Sequence, residues 1–308
     1  MLAAGLAVGA VAGYLGWQTR GNLGFALALR GATAGAMLVA AFAQAVATVV
    51  FHTVTANRIL SPSVMGFDRL FVLMQTVLVT LFGGEILART EGALRLIIQT
   101  LLMAGFATML YRWLFTNSRG GLYRTLLVGL ALGMAFDTIS TFLERLLHPT
   151  DYDLLSLELF GRITAVDAGL LPLSFGVCAA AGIVVWRRRH ILDALLLGRY
   201  LATSIGVDHR RELTIMLMVV ATLVSFSTAL VGPMTFFGFL AATLAYQLAG
   251  THRHAFVLPL AVLLGVIALA GGQFIMQHLF YAAGFLTVII EFVGGIVFLA
   301  ILLGGRKP

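Results

Sequence analysis

The stretch Arg187–Arg211, RRRHILDALLLGRYLATSIGVDHRR, decides how the chain is read. It is the longest interval bearing polar residues in an otherwise apolar sequence. Six arginines mark its ends and middle: Arg187, Arg188, Arg189, Arg199, Arg210 and Arg211. Between them lie two short amphipathic pieces, Ile191–Leu197 and Tyr200–Ile205. Gly198 and Gly206 follow these pieces as C-terminal glycines follow short helices. Apolar runs flank the stretch on both sides. It is therefore expected to be a large cytoplasmic loop with two short helices, lying against the membrane or a partner. A basic interfacial helix that touches only lipid has the same periodicity.

Composition fixes the class. Sixty per cent of residues are hydrophobic and 11% are charged, against roughly 45–50% and 25% in soluble domains. The fold class expected is all-α: a polytopic membrane protein of about ten transmembrane helices. The whole chain, 1–308, reads as one transmembrane domain with its cytoplasmic loop at 187–211. The single cysteine, Cys178, lies in an apolar run and is expected to be a buried packing residue. The net charge of +7 is spread over loops between apolar runs, which argues for membrane topology and against nucleic acid. The N-terminal run has no basic region before it and reads as a first span, not a removed leader.

Apolar runs place spans near 2–18, 31–52, 69–84, 94–115, 122–145, 168–186, 213–231, 236–249, 256–276 and 282–303. The first, third and eighth are short for a hydrocarbon layer of about 30 Å. The eighth follows Gly232-Pro233 and reads as a half-helix or re-entrant piece. With both termini in the cytoplasm, fourteen of the 20 basic residues lie inside. These are the six of the central loop with Arg58, Arg69, Arg112, Arg119, Arg124, Arg253, Arg306 and Lys307. Six fall outside: Arg20, Arg30, Arg89, Arg95, Arg145 and Arg162. That asymmetry favours cytoplasmic termini. The acidic stretch His148–Asp167 suits the outer face.

Few residues suggest chemistry. Lys307 is the sole lysine, so the chain has no P-loop and any ATP must be bound by a separate subunit. No cofactor and no metal site is expected. His252 and His254 are two apart, do not share a helix face, and read as part of a solvated basic turn. Asp137 and Glu291 fall deep in spans. An unpaired charge at the bilayer centre costs at least about 2.5–3.5 kcal/mol, so each is either a pathway or proton-relay group or a structural hydrogen-bonding group. A proton-coupled secondary transporter built on these two acids is the competing function class. An intramembrane enzyme would need convergent catalytic groups, which the sequence does not offer. Gln44, His52, Gln75, Gln99 and Gln273 read as interhelical hydrogen-bonding residues.

Three stretches carry a resemblance. Leu197-Gly198, Ala202 and Ile205-Gly206 resemble the LG…A…LG signature of permeases of the iron-siderophore and vitamin B12 (FecCD-like) ABC importers, departing at Arg199. The run from Arg30 to Gly66 resembles that family's RLPR…Q…NPLA.P..LG stretch: Arg30, Asn57, Pro62 and Gly66 match. Thr33, His52 and Arg58 depart from it. The segment GPMTFFGFLAATLAY, Gly232–Tyr246, resembles the family's GPI.FVGL segment at Gly232, Pro233 and Gly238. Its Ala241-Ala242-Thr243 is closer to the ferric-siderophore branch, including catechol types.

The resemblance implies a type II ABC importer permease in a bacterial inner membrane, carrying a ferric siderophore, with vitamin B12 or haem as the alternative cargo. It implies three partners: a cytoplasmic ATPase dimer, a second permease subunit (an identical or a sister chain, the sister chain slightly favoured), and an extracytoplasmic substrate-binding protein. Leu197, Gly198, Ala202, Ile205 and Gly206 would couple to the ATPase, with Ala202 on the face that enters its cleft. Arg30 would dock the binding protein.

Overall fold

Inside a bilayer every backbone N–H and C=O must find a partner within the protein, and this chain meets that demand with helices. The computed structural model describes residues 2–16, 23–63, 65–85, 92–117, 121–159, 163, 166–278 and 286–303. In order they form α1 (Leu2–Gly16), α2 (Leu23–Thr55), α3 (Phe67–Phe82), α4 (Ala93–Asn117), α5 (Gly121–Glu144), α6 (Pro149–Leu159) and α7 (Leu171–Arg187). Then follow α8 (Arg189–Leu195), α9 (Arg199–Ser204), α10 (His209–Val231), α11 (Phe237–Ala249), α12 (His254–His278) and α13 (Leu286–Leu303). No strand occurs among the described residues. Each of the ten predicted runs falls on a helix. The stretches Arg30–Thr55, Leu127–Glu144, Ala168–Arg187, His209–Val231 and His254–His278 are long and apolar enough to cross a membrane.

α2 is the axis of the molecule. It runs 33 residues, beginning at Leu23 where the sequence suggested 31. Its inner face is built from small side chains, among them Ala36, Ala40, Ala43 and Ala47, all fully buried. Such faces let neighbouring helices come close, which is how membrane helices gain packing without a hydrophobic driving force. α10, α12, α11 and α7 all pack against it. Gln44 of α2 donates to Ser227 of α10 at 3.4 Å, and Gln99 of α4 to Gln75 of α3 at 3.4 Å, as the interhelical reading expects. His52 differs: it is buried with no well-aligned hydrogen bond to either ring nitrogen among the described residues, the Leu60 backbone being its polar neighbour. Its ring instead lies 5.8 Å from that of Tyr246. Cys178 is buried, as expected.

Two departures from expectation concern the loops. The acidic outer stretch contains α6, with Pro149 as its first residue and Asp151 in its first turn, both ordinary helix-start signals. Asp151 Oδ1 accepts the N–H of Gly84 at 2.9 Å, which ties α6 to the end of α3. Arg69, expected in an inner loop, sits instead in the first turn of α3 with its side chain against Gly133. Gly133 lies halfway along α5, so Arg69 is at mid-height. Removing it from the inner set leaves the charge asymmetry in place. Arg20, Arg89, Arg119, Arg162, Arg306 and Lys307 lie outside the described residues, as do the side chains of Arg112 and Arg124.

Candidate functional site

The central loop folds as two short helices held by two positive-φ glycines. Gly198 and Gly206 both have φ of +88°, where an L side chain is strained. Nothing lies within 4 Å of a Cβ placed on either, so conformation alone calls for glycine there. Leu192 and Leu195 of α8 and Ala202 of α9 are buried against the membrane-spanning helices. The opposite face is open. Tyr200 is 89% exposed, Ile205 62%, Leu201 58% and Leu197 55%. The sequence reading of Ala202 is therefore corrected: it is 0% exposed and faces inward. In a helix of six residues the inward turn needs a small side chain, and that is what alanine provides. The exposed apolar row is Leu197, Tyr200, Leu201 and Ile205.

A buried polar link joins this loop to the long helices. Asp193 Oδ1 of α8 lies 2.6 Å from His254 Nδ1 and accepts the His254 backbone N–H at 2.9 Å. His254 Nε2 faces Thr53 Oγ1 of α2 at 2.7 Å, and that hydroxyl donates to the Val49 carbonyl at 3.0 Å. One chain of contacts thus runs from α8 through the first residue of α12 to the last turn of α2. His254, expected in a solvated turn, is 2% exposed. The sequence signal for it was Asp193, the sole acid within either short helix of the loop. Arg188, at the α7–α8 joint, is held by the carboxylate of Glu212 in α10. On the adjoining surface, the Arg58 guanidinium stands 4.6 Å over the Tyr246 ring and 2.9 Å from His252 Nδ1.

The other motif residues lie where helices break inside the molecule. Asn57 closes the end of α2: its N–H reaches the His52 carbonyl at 3.1 Å, and its Oδ1 accepts from Ile59 N at 2.8 Å. The Pro62 carbonyl accepts Met65 N at 3.1 Å, turning the chain into α3. Gly66, at φ +106°, stands so close to α5 that a Cβ would lie 3.2 Å from Gly133 Cα. The loop after α2 therefore climbs back to mid-height before α3 starts. Gly232, at φ +96°, ends α10, and Pro233 follows. The chain stays irregular until α11, whose Gly238 packs against α2. A Cβ there would meet Thr48 Oγ1 at 2.2 Å and the Gln44 carbonyl at 2.9 Å.

Asp137 and Glu291 have different surroundings. Glu291 of α13 accepts the N–H of Thr235, in the break before α11, at 3.4 Å. Asp137 is exposed on α5 and makes no hydrogen bond or ion pair among the described residues. No contact brings the two together. The sequence reading missed Asp68, a buried carboxylate in the first turn of α3 with no well-aligned hydrogen bond to either oxygen among the described residues. Ser63, Thr235, Arg69 and Glu291 surround it. Its signal was an acid directly after Gly66-Phe67, at the start of an apolar run. Arg30 donates to the Tyr14 and Leu15 carbonyls at 3.3 and 3.4 Å. It satisfies the free carbonyls at the C-terminus of α1, where a cation also suits the helix dipole.

Known proteins share this arrangement. The FecCD transport family model matches residues 5–304. The petrobactin import system permease protein YclO of Bacillus subtilis is 36% identical, across 99% of this chain and 97% of its own. The petrobactin import system permease protein FatC of Bacillus anthracis is 38% identical, across 88% and 77%. A metal-chelate type ABC transporter solved in an inward-facing conformation superposes with a TM-score of 0.82 at 17% identity, covering 99% of this chain and 97% of that one. By its length-wide match and its sequence identity to these permeases, the chain is a multi-pass membrane protein that belongs to the FecCD transport family.

Proposed function

We propose that this chain is the permease subunit of an ABC importer that carries a ferric siderophore across the bacterial inner membrane, with both termini in the cytoplasm. The observation that carries the reading is the face of α8 and α9: an open apolar row beside arginines, on a chain of the FecCD family. Exposed apolar residues rimmed by charge mark a protein-binding surface. Leu197, Tyr200, Leu201 and Ile205 would enter a separate ATPase subunit, Gly198 and Gly206 would set their geometry, and Ala202 would seat α9. Motion of that partner would reach α2 and α12 through Asp193, His254 and Thr53, biasing two positions of the helices. The naming of FatC and YclO for petrobactin import supports a siderophore as cargo.

Two further partners belong to the proposal. Asp137 faces outward from α5, where lipid would make a charge costly, so that face meets a second permease subunit or the water-filled path between the two. An extracytoplasmic binding protein delivers the cargo. Arg30, engaged with the end of α1, shapes its docking surface from behind.

The test is uptake of iron-55 as siderophore complexes into cells with and without the gene, with vitamin B12 and haem as controls. Loss of uptake for one ferric siderophore is the expected result. Lost B12 or haem uptake with intact siderophore uptake would move the cargo to a sister branch. Uptake that persists when the partner ATPase is inactivated would overturn the ABC assignment.

A further inference from the structure

We propose that a groove between α2, α7 and α12 is a binding site for an anionic glycerophospholipid, independent of the transport path. The groove has a volume of about 340 Å³ and is lined almost wholly by apolar atoms, with Phe42, Val46, Gly182, Trp186, Pro259 and Val262 among its walls. Gly182 brings two of its walls together: a Cβ there would meet the tip of the Phe42 ring at 2.8 Å, so α7 and α2 touch at this point. On α12 the lining runs from Leu258 to Leu263, and on α7 it reaches Trp186, next to the last residue of that helix. At 1.5 Å per residue the five steps from Leu258 to Leu263 rise about 7.5 Å, a quarter of a hydrocarbon layer of about 30 Å. That length seats the headgroup-proximal part of one acyl chain.

The mouth of the groove carries the matching charge. Trp186 forms part of the wall, and the Arg189 guanidinium lies 4.7 Å over its ring while donating to its carbonyl at 3.0 Å. Tryptophan at this depth and arginine just beyond it are the residues that settle at a headgroup boundary. Arg187 is exposed beside them. Of the three consecutive arginines, only Arg188 has an acidic partner, Glu212. Arg187 and Arg189 have none among the described residues. Two arginines with free N–H groups above an apolar slot fit a phosphate ester joined to an acyl chain. A zwitterionic lipid would fill the same slot and gain much less at its mouth.

Each cation near a membrane surface favours an anionic lipid by roughly a fivefold factor, so two predict a preference of about 30-fold. The test uses the full transporter in phosphatidylcholine nanodiscs, with Trp17 and Trp113 replaced by phenylalanine so that Trp186 is this chain's one tryptophan, and with a Trp186→Phe transporter as the blank for the partner subunits' signal. Phosphatidylglycerol with brominated acyl chains, which quench tryptophan on contact, is titrated against brominated phosphatidylcholine. Half-quenching should come at a mole fraction about 30-fold lower for the anionic lipid. Arg187→Gln and Arg189→Gln should each reduce that ratio about fivefold, and Arg189→Lys should keep it. Val262→Phe, which fills the slot, should abolish the preferred phase. Comparing the two lipids within each variant cancels any change in the tryptophan's own surroundings. Equal quenching by both lipids would mean that the groove takes bulk lipid only, and a preference that survives the double Arg187→Gln/Arg189→Gln variant would mean that the arginines do not set it; either outcome overturns the proposal. If Val262→Phe does not fold, the arginine series still decides.

Discussion

At the scale of single residues, the central loop separates what a side chain touches from what its backbone must do. Gly198 and Gly206 were legible in the sequence because a short amphipathic run followed by glycine has one common cause, a positive φ, and both adopt it. The inward turn of Ala202 was not legible: six residues of helix give no periodicity from which to pick the buried side. The distinction is testable. Tyr200→Asp and Ile205→Asp leave the buried face untouched and should insert normally with unchanged thermal stability. They should weaken ATPase association about tenfold or more, since buried aromatic and aliphatic anchors dominate such interfaces. Ala202→Glu should instead lower stability, because a carboxylate cannot be buried unpaired at that position. A second residue-scale test concerns the His254 link. His254→Ala removes the ring that joins Asp193 to Thr53 and leaves each with a backbone partner only, the 254 N–H and the Val49 carbonyl, and a lost hydrogen bond typically costs about 0.5–1.5 kcal/mol. The variant should show a lowered melting temperature and ATP hydrolysis no longer tied to transport. Normal coupling in it would remove the link from the mechanism.

At the scale of elements, helix breaks and helix crossings do different work. The break after Gly232 was readable, since Gly-Pro both ends a helix and denies the next residue an N–H. The depth of the Asn57–Gly66 loop was not. Its Ser, Pro, Asn and Arg look like any exposed turn, and only the contact of Gly66 with Gly133 places it at mid-height. Asp68 escaped notice for the same reason, because an acid at the start of a helix usually faces water. Gly238 shows why the half-helix α11 is fixed in place. Gly238→Ala would force a methyl into Thr48 Oγ1 and the backbone of Gln44, and overpacking of this kind typically costs about 1–3 kcal/mol. Thr48→Ala should recover part of the loss, while the Gln44 carbonyl still resists. Gly271→Ala, in α12 with nothing within 4 Å of the new methyl, is the control. It should be neutral or stabilising by up to about 1 kcal/mol. Equal melting temperatures for the variants at 238 and 271 would show that the α2–α11 crossing tolerates separation.

At the scale of the whole molecule, the open question with the widest reach is which way the bundle faces. Thirteen basic residues assigned to one side against six to the other, with Arg69 at mid-height counted on neither, point to a cytoplasmic central loop. Geometry adds an independent link: His252, Arg58 and Tyr246 join the loop before α12 to the loop after α2, and Asp193 joins α8 to the start of α12. These three connections must therefore share one side. α6, at the other end of α3, belongs to the opposite side through Asp151 and Gly84. Single cysteines can read this directly. Cys178 is buried and its thiol makes one long contact, to the Val39 carbonyl at 4.0 Å, so Cys178→Ala gives a background that should fold. Ser204 in α9, Thr251 before α12 and Thr150 in α6 are the reporters, and Ser204 and Thr150 are both exposed. In intact cells a membrane-impermeant maleimide should label Thr150→Cys and spare Ser204→Cys and Thr251→Cys, and all three should react after permeabilisation. Because the contacts tie Ser204 and Thr251 to one side, they must change together. Labelling of both from outside, with Thr150→Cys protected, would invert the orientation and place the α8–α9 face beyond the reach of any cytoplasmic ATPase.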